Sequence, residues 1–165
     1  MRPLTLIALL LLAGCGFHPR GEIVLPPALA KASLEVADPF SPVARDLRDA
    51  LRRAGVVLVP AGSEGAGAIR VPVNQVVRDT LVVSANAKVQ EYVVRHRVEL
   101  SAADASGKLL FGPATIELTR PFTFDQTQGL AAAQEEELIR AELEKEMVQQ
   151  ILRRLETLAA PRPGA

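Results

Sequence analysis

Residues 90 to 124 read Gln90-Glu-Tyr-Val-Val-Arg-His-Arg-Val-Glu-Leu100, then Ser-Ala-Ala-Asp104-Ala-Ser-Gly107, then Lys108-Leu-Leu-Phe-Gly-Pro-Ala-Thr-Ile-Glu-Leu-Thr-Arg-Pro-Phe-Thr-Phe124. Tyr92, Val94, His96, Val98 and Leu100 fall on one side of a period-two alternation, and Glu91, Val93, Arg95, Arg97 and Glu99 on the other. That pattern predicts a half-buried antiparallel strand with one apolar and one charged face. Asp104 to Gly107 predicts a hairpin loop, because glycine takes a positive φ at no steric cost. The return strand, Lys108 to Phe124, sets Ile116, Leu118, Phe122 and Phe124 on one side, with a bulge expected at Gly112-Pro113.

The flanks supply the remaining elements. Upstream, Ala68 to about Val83 is β-prone, and Pro72 inside it, lacking a ladder donor, marks an edge or a bulge. Further upstream, Ser33 to Ala37 and Val56 to Val59 are short apolar strands. Between them Val43, Leu47, Ala50, Leu51 and Ala54 form one helical stripe over about Ser41 to Ala54, closed by Gly55. Strand, helix, strand in that order predicts a crossover with both strands in one sheet. Downstream, Gln134 to Leu158 predicts a long helix whose later half carries Met147, Val148, Ile151, Leu152, Leu155 and Leu158, with Pro161 and Pro163 beyond it. The expected fold is α+β, a two-layer sandwich of about four mostly antiparallel strands with two helices packed on one face. Its other face is left open and carries charge.

The first fifteen residues are of a different kind. Arg2, an apolar run from Leu4 to Leu12, and Leu12-Ala13-Gly14-Cys15 form a secretory signal ending in a lipobox. Residues 1–14 are therefore expected to be removed, and the Cys15 thiol to carry lipid. Membrane attachment is through that N-terminal lipid, since two or more acyl chains hold firmly where one holds marginally. Gly16 after the cysteine, rather than aspartate, implies sorting to the outer membrane. Residues 15–32, with Pro19, Pro26, Pro27, Gly16 and Gly21, are read as the lipidated anchor and tether, 33–158 as a single α+β domain, and 159–165 as a disordered tail. Cys15 is the only cysteine, so no disulfide can form within the chain.

Charge and composition narrow the function. Lys plus Arg and Asp plus Glu number 19 each, a balance that argues against a nucleic-acid partner. Of the two histidines, His18 lies in the tether and His96 on the apolar side of its strand. Gly62-Ser63-Glu64-Gly65 lacks the strand-to-helix setting of a nucleophile elbow, and the glycines around it lack that of a phosphate loop. Glu135 to Glu137 suit a helix N-terminus. No metal, no cofactor and no enzymatic activity are expected. The basic residues of the middle are the more interesting chemistry: Lys88, Arg95, Arg97 and Arg120 could converge on an anionic ligand through charge-assisted hydrogen bonds. Glu91, Glu99 and Glu117 could equally pair with them across strands, and the alternation puts Arg120 with the apolar residues.

Several motifs occur in an order that carries a resemblance. They are Cys15-Gly16-Phe17-His18-Pro19-Arg20-Gly21, Asp38-Pro39-Phe40-Ser41-Pro42, Leu47 to Leu51 with Gly55-Val56, Glu91-Tyr92, Arg120-Pro121-Phe122 and Met147 to Leu155. Together they resemble the LPS-assembly lipoprotein family, LptE, over nearly the whole mature chain. The resemblance implies a two-helix, four-strand body plugged into the lumen of an LptD-type outer-membrane β-barrel, which it helps assemble. It also implies binding of lipopolysaccharide in transit to the outer leaflet, for which Lys88, Arg95, Arg97 and Arg120 are the candidate residues. The chain departs from the family in Pro19, where an aliphatic residue is common, and in Glu117, where a basic one would help hold lipid A phosphates. The alternative is a periplasmic structural lipoprotein that tethers another envelope assembly and binds no glycolipid.

The lipidation expectation is checked directly. Cys15→Ala should release the protein from the outer-membrane fraction, and mass spectrometry of the native N-terminus should find acyl groups on Cys15. An unacylated N-terminus would remove the basis for the membrane assignment.

Overall fold

A computed structural model describes residues 23–83, 89–123 and 129–159. The signal, Cys15, Lys88, Phe124 and residues 160–165 of the tail lie outside the described residues. Five strands, β1 (Lys31–Val36), β2 (Val57–Leu58), β3 (Gly67–Val83), β4 (Val89–Ala103) and β5 (Leu109–Thr123), form one sheet in the order β2-β1-β3-β4-β5. Two α-helices, α1 (Pro42–Arg53) and α2 (Gly129–Glu156), belong to the other layer. The fold class is as the sequence predicts, with five strands where about four were expected. β2, expected over Val56 to Val59, is a two-residue strand parallel to β1 in the register Lys31↔Val57 and Ala32↔Leu58. This is the crossover that the strand-helix-strand order requires.

Each element follows from local chemistry. Ser41 caps α1, its Oγ accepting from the Ala44 N–H at 3.2 Å, and Pro42 occupies the first turn, where its missing N–H costs nothing. Gly55, at φ 82°, then turns the chain out of the helix. The Asp104 carboxylate organises the β4–β5 hairpin by accepting from the Ser106 N–H, the Ser106 hydroxyl and the Lys108 N–H. These bonds, led by the Ser106 hydroxyl, hold its pKa below the ordinary carboxylate value. Both expected irregularities are present. The β3–β4 register shifts between Arg70 and Val73, around Pro72, and the β4–β5 register shifts between Leu100 and Ala102, opposite Gly112-Pro113. Gly112 has φ 74°, and a Cβ there would collide with the Leu100 carbonyl.

The core lies between the sheet and the helices. In β4, Val94, His96, Val98, Leu100 and Ala102 are buried, while Arg95, Arg97 and Glu99 face away. The larger cluster joins Val98, Leu100, Ile69 and Ile116 of the sheet to Leu47 and Leu51 of α1 and to Met147, Ile151, Leu152 and Leu155 of α2. Leu29, in a 3-10 turn (Pro27–Leu29), and Ala32 also belong to it. The packed body thus takes in residues whose proline-rich composition reads as tether. A smaller cluster, Val94, Phe122, Ile139 and Leu143, underlies the far part of the sheet, where only β3, β4 and β5 continue. α2 starts five residues earlier than Gln134, because Leu130 to Ala133 are strong helix formers that carry no amphipathic signal.

Among the described residues His96 is the one titratable group fully inside, at 0 % exposure. Its Nε2 donates to Asn74 Oδ1 at 2.7 Å, and Asn74 Nδ2 donates in turn to Ser41 Oγ at 3.4 Å. Among the described residues Nδ1 makes no hydrogen bond of good geometry, and the Leu143 backbone is its nearest polar influence. Burial lowers the pKa below 6.5, with the Leu143 backbone opposing more weakly. A folded-state pKa below the unfolded one means that the unfolded chain binds the proton first as pH falls. Stability should therefore be constant in this respect above about pH 7 and decline toward about pH 5.5. Urea midpoints should show that decline, and His96→Gln should flatten it; parallel slopes in the two proteins would locate the pH dependence elsewhere.

Candidate functional site

The sheet face turned away from the helices is built by alternation alone. On β4 it presents Val93, Arg95, Arg97 and Glu99. On β5 it presents Thr115, Glu117, Thr119, Pro121 and Thr123, and on β3 Gln75, Val77 and Asp79 lie opposite Arg97, Arg95 and Val93. No described helix covers it. The side chains are short polar groups and paired charges, with few large apolar ones.

The charges neutralise one another within the face. Arg95 Nη2 lies 3.2 Å from Asp79 Oδ2 and Nη1 lies 3.3 Å from Glu117 Oε1, bridging from β4 to both neighbouring strands. Arg97 reaches Glu99 at 2.8 Å on its own strand, and Arg70 reaches Glu35 at 3.2 Å. These guanidinium groups remain 42 to 48 % exposed, so each pair is worth little net energy, of order 0 to 1 kcal/mol, and can exchange partners. Arg95 and Arg97 thus stand side by side on one open surface, as their two-residue spacing predicts, with Glu117 and Glu99 as cross-strand or same-strand partners.

Arg120 belongs elsewhere. It projects from the helix-covered side of β5 and donates to Glu142 Oε2 at 2.6 Å and to Glu146 Oε2 at 3.4 Å, both on α2. The grouping of Arg120 with Arg95 and Arg97 on one surface is therefore corrected: adjacent strands bring them near in register, but the period-two pleat sends them to opposite faces. Lys88 lies outside the described residues.

A second polar cluster, not singled out in the sequence, binds α2 to the same far part of the sheet. Arg78 of β3 donates to Glu136 Oε2 at 2.7 Å and stacks over the Tyr92 ring, 4.5 Å from its centroid. Tyr92 in turn lies against Phe122, with 5.7 Å between ring centroids. Arg140 holds the other Glu136 oxygen, Oε1, at 2.7 Å. Burial opposes the charge on Glu136, but the hydrogen bonds and charges of Arg140 and Arg78 outweigh it and keep the carboxyl below its ordinary pKa. The Glu136/Arg140 spacing of four was visible in the sequence as a helix pair. The partnership with Arg78 spans 58 residues and was not.

The described residues hold no group of three or more His, Cys, Asp or Glu side chains placed to ligate a metal ion. No described helix is long and apolar enough to cross a membrane. What the open face offers chemically is a flat array of exchangeable guanidinium groups, threonine hydroxyls and carboxylates.

Comparison with known proteins places this architecture. The lipopolysaccharide-assembly family LptE matches residues 31–155. The LPS-assembly lipoprotein LptE of Pectobacterium atrosepticum is 29 % identical over 153 residues, covering 92 % of this chain and 82 % of that protein. That of Yersinia pestis (strain Pestoides F) is 30 % identical over 163 residues, covering 96 % and 78 %. Among solved structures, an uncharacterized lipoprotein B from Nitrosomonas europaea superposes with a TM-score of 0.67 at 28 % identity, over 84 % of this chain and 88 % of that one. The rare lipoprotein B of Shewanella oneidensis does so with 0.64 at 25 %, over 74 % and 91 %. With its strand order, its two helices on one face and this match across the folded body, the chain belongs to the LptE family of LPS-assembly lipoproteins.

Proposed function

We propose that this chain is a non-catalytic lipoprotein, anchored in the outer membrane through Cys15, whose body seats in the lumen of an LptD-type β-barrel, helps assemble that barrel and binds lipopolysaccharide in transit. The observation that carries this reading is the open sheet face. A sheet whose second face is uncovered, polar and internally charge-paired suits a water-filled, polar lumen, since nothing on it must be driven into an apolar layer and no unpaired charge must be desolvated.

The same face supplies the lipopolysaccharide surface in this reading. Arg95 and Arg97, with Lys88 nearby in sequence, present guanidinium groups that can leave Asp79, Glu117 and Glu99 for phosphate. The exchange is favourable because a carboxylate released to water loses little, whereas an Arg–phosphate contact is charge-assisted and can be bidentate. Arg120, tied to Glu142 and Glu146 on the other face, would serve a separate contact.

The test separates the two faces. Arg95→Gln with Arg97→Gln should weaken lipopolysaccharide binding by on the order of tenfold and reduce its salt sensitivity, as screening acts on exposed charges. Arg120→Gln should change it far less. All three are half-exposed substitutions, expected to change the unfolding free energy measured in urea by no more than about 1 kcal/mol. Undiminished binding by the folded double variant would exclude this surface. For the plug, a photo-crosslinker at Ser106, exposed on the β4–β5 hairpin, should trap a large outer-membrane protein. Trapping only small periplasmic proteins or peptidoglycan would favour the tethering alternative.

A further inference from the structure

The outer side of β3 has two unlike stretches. Up to Val71 it is paired with β1, the last register being Val36↔Val71, and the Ala37 N–H donates to the Val71 carbonyl at 2.9 Å. Past the bulge at Pro72, β1 has ended, and the loop before α1 reaches only as far as the Asn74 side chain. From Gln75 to Leu81 no described strand lies on that side. α2 does not cover it, because that helix packs over β4 and β5. The helix touches this stretch through side chains on its covered face, Arg78 with Glu136 and Val76 against the cluster that holds Ile139 and Leu143. It reaches the main chain where Arg140 Nη1 donates to the Val76 carbonyl at 3.4 Å. That carbonyl points away from β4, so by alternation the main-chain N–H and C=O groups of Val76, Arg78 and Thr80 face the free side.

Native sheets protect such edges with charged side chains, proline, bulges, short strands or a covering element. The other two edges of this sheet obey: β2 has two residues, and β5 carries Pro113 and Pro121. The stretch Gln75-Val-Val-Arg-Asp-Thr-Leu81 has neither proline nor lysine, and its two charges are engaged within the chain, Arg78 with Glu136 and Asp79 with Arg95. Its register shifts only at its end, between Thr80 and Val82, and Val77 and Leu81 are 44 % and 54 % exposed. Where the slot begins, in line with β1, there is a groove of about 420 Å³ lined by Leu34, Val36, Pro39, Arg48 and Pro72 among others. Phe40, next in sequence to Pro39 of that lining, is 93 % exposed, its N–H donating to Asp38 Oδ1 at 2.9 Å. A large aromatic ring held out on a pinned turn is an anchor in search of an apolar contact.

We propose that this slot receives an extended segment of the barrel protein, paired backbone to backbone with β3 from Gln75 to Leu81 and continuing the line of β1, with Phe40 and the groove gripping its side chains where it enters. The inference rests on the reading that the chain works in complex with a barrel. The segment comes from a part of the partner other than the barrel wall, whose strands are paired on both sides and offer no edge. It carries apolar or β-branched residues where it abuts Val77 and Leu81. A second copy of this chain fits less well, because a two-fold pairing centred on the stretch sets Arg78 opposite Arg78.

Hydrogen exchange on the purified native complex, against the isolated mature protein, tests this. The amides of Val76, Arg78 and Thr80 should exchange rapidly alone and slow by on the order of tenfold or more in the complex. Edge amides of β5 should change little. Thr80→Pro removes an N–H on the free side without touching the β3–β4 ladder, and should abolish the protection and weaken the complex; Leu81→Lys should weaken it without any backbone constraint. Unchanged exchange over 75–81 in a complex that still co-purifies would overturn the slot and leave the plug standing. Protection that rises with concentration of the isolated protein would assign the slot to a second copy instead. Absence of any co-purifying barrel would overturn both readings.

Discussion

Everything in this fold depends on which face of β4 is dry. β4 lies between β3 and β5, and its inward side chains, Val94, His96, Val98, Leu100 and Ala102, meet both core clusters. A slip of one residue would bury Arg95, Arg97 and Glu99 and expose this row. Uncompensated buried charges cost several kcal/mol each, so the register is fixed by the penalty for the alternative as much as by the apolar gain. With β4 fixed, the hairpin sets β5, the β3–β4 ladder sets β3, and the helices have only one face left to cover.

The two halves of the molecule are then held by different forces. Near β1 and β2, α1 and the last turns of α2 bury leucine, isoleucine and methionine against the sheet, and the stabilisation is hydrophobic burial of about 1.5 to 3 kcal/mol for each such side chain. Farther out, α1, β1 and β2 are absent and the apolar cluster shrinks to Val94, Phe122, Ile139 and Leu143. There Arg78, Glu136 and Arg140, with Arg120, Glu142 and Glu146, tie the helix to the strands. Partly exposed ion pairs supply orientation more than energy. The far part of the body is accordingly the part that local opening reaches first.

Most of this architecture was legible in the sequence because periodicity reports burial directly. The alternation from Gln90 to Leu100 and the stripe from Val43 to Ala54 each sort side chains between water and core, and both elements form where that sorting predicts. The bulges at Pro72 and Gly112-Pro113 were legible for a covalent reason, a missing donor or a missing Cβ. What stayed hidden was what periodicity does not encode. Leu130 to Ala133 extend α2 through high helix propensity, with Ala132 buried, and the packing of Leu29 into the core depends on contacts distant in sequence. The face on which Arg120 stands was readable from its parity with Ile116, Leu118 and Phe122, yet its Glu142 and Glu146 partners lie on an element whose rotation only tertiary packing decides. Phe40 appeared in the sequence as part of a turn motif, and nothing local distinguishes an aromatic held in solvent from one tucked beneath a helix.

The open face and the free edge make opposite demands on a partner. The face is self-neutralised: Arg95, Arg97 and Arg70 each have a carboxylate within 3.3 Å, so apposing it to another polar surface leaves no charge stranded and confers little affinity. Such a surface tolerates contact and sliding, and in the proposed function it yields its arginines to a ligand that brings phosphate. The edge of β3 is the reverse, since unpaired main-chain groups reward only a strand in one register, and each hydrogen bond made there gains about 0.5 to 1.5 kcal/mol only if the geometry is met. In the proposed complex, a body held by a barrel protein while it binds lipopolysaccharide in transit gains from dividing the tasks in this way. In that proposal, specific attachment falls to backbone pairing along one side, and the broad face is left weakly engaged and free to exchange its ion pairs.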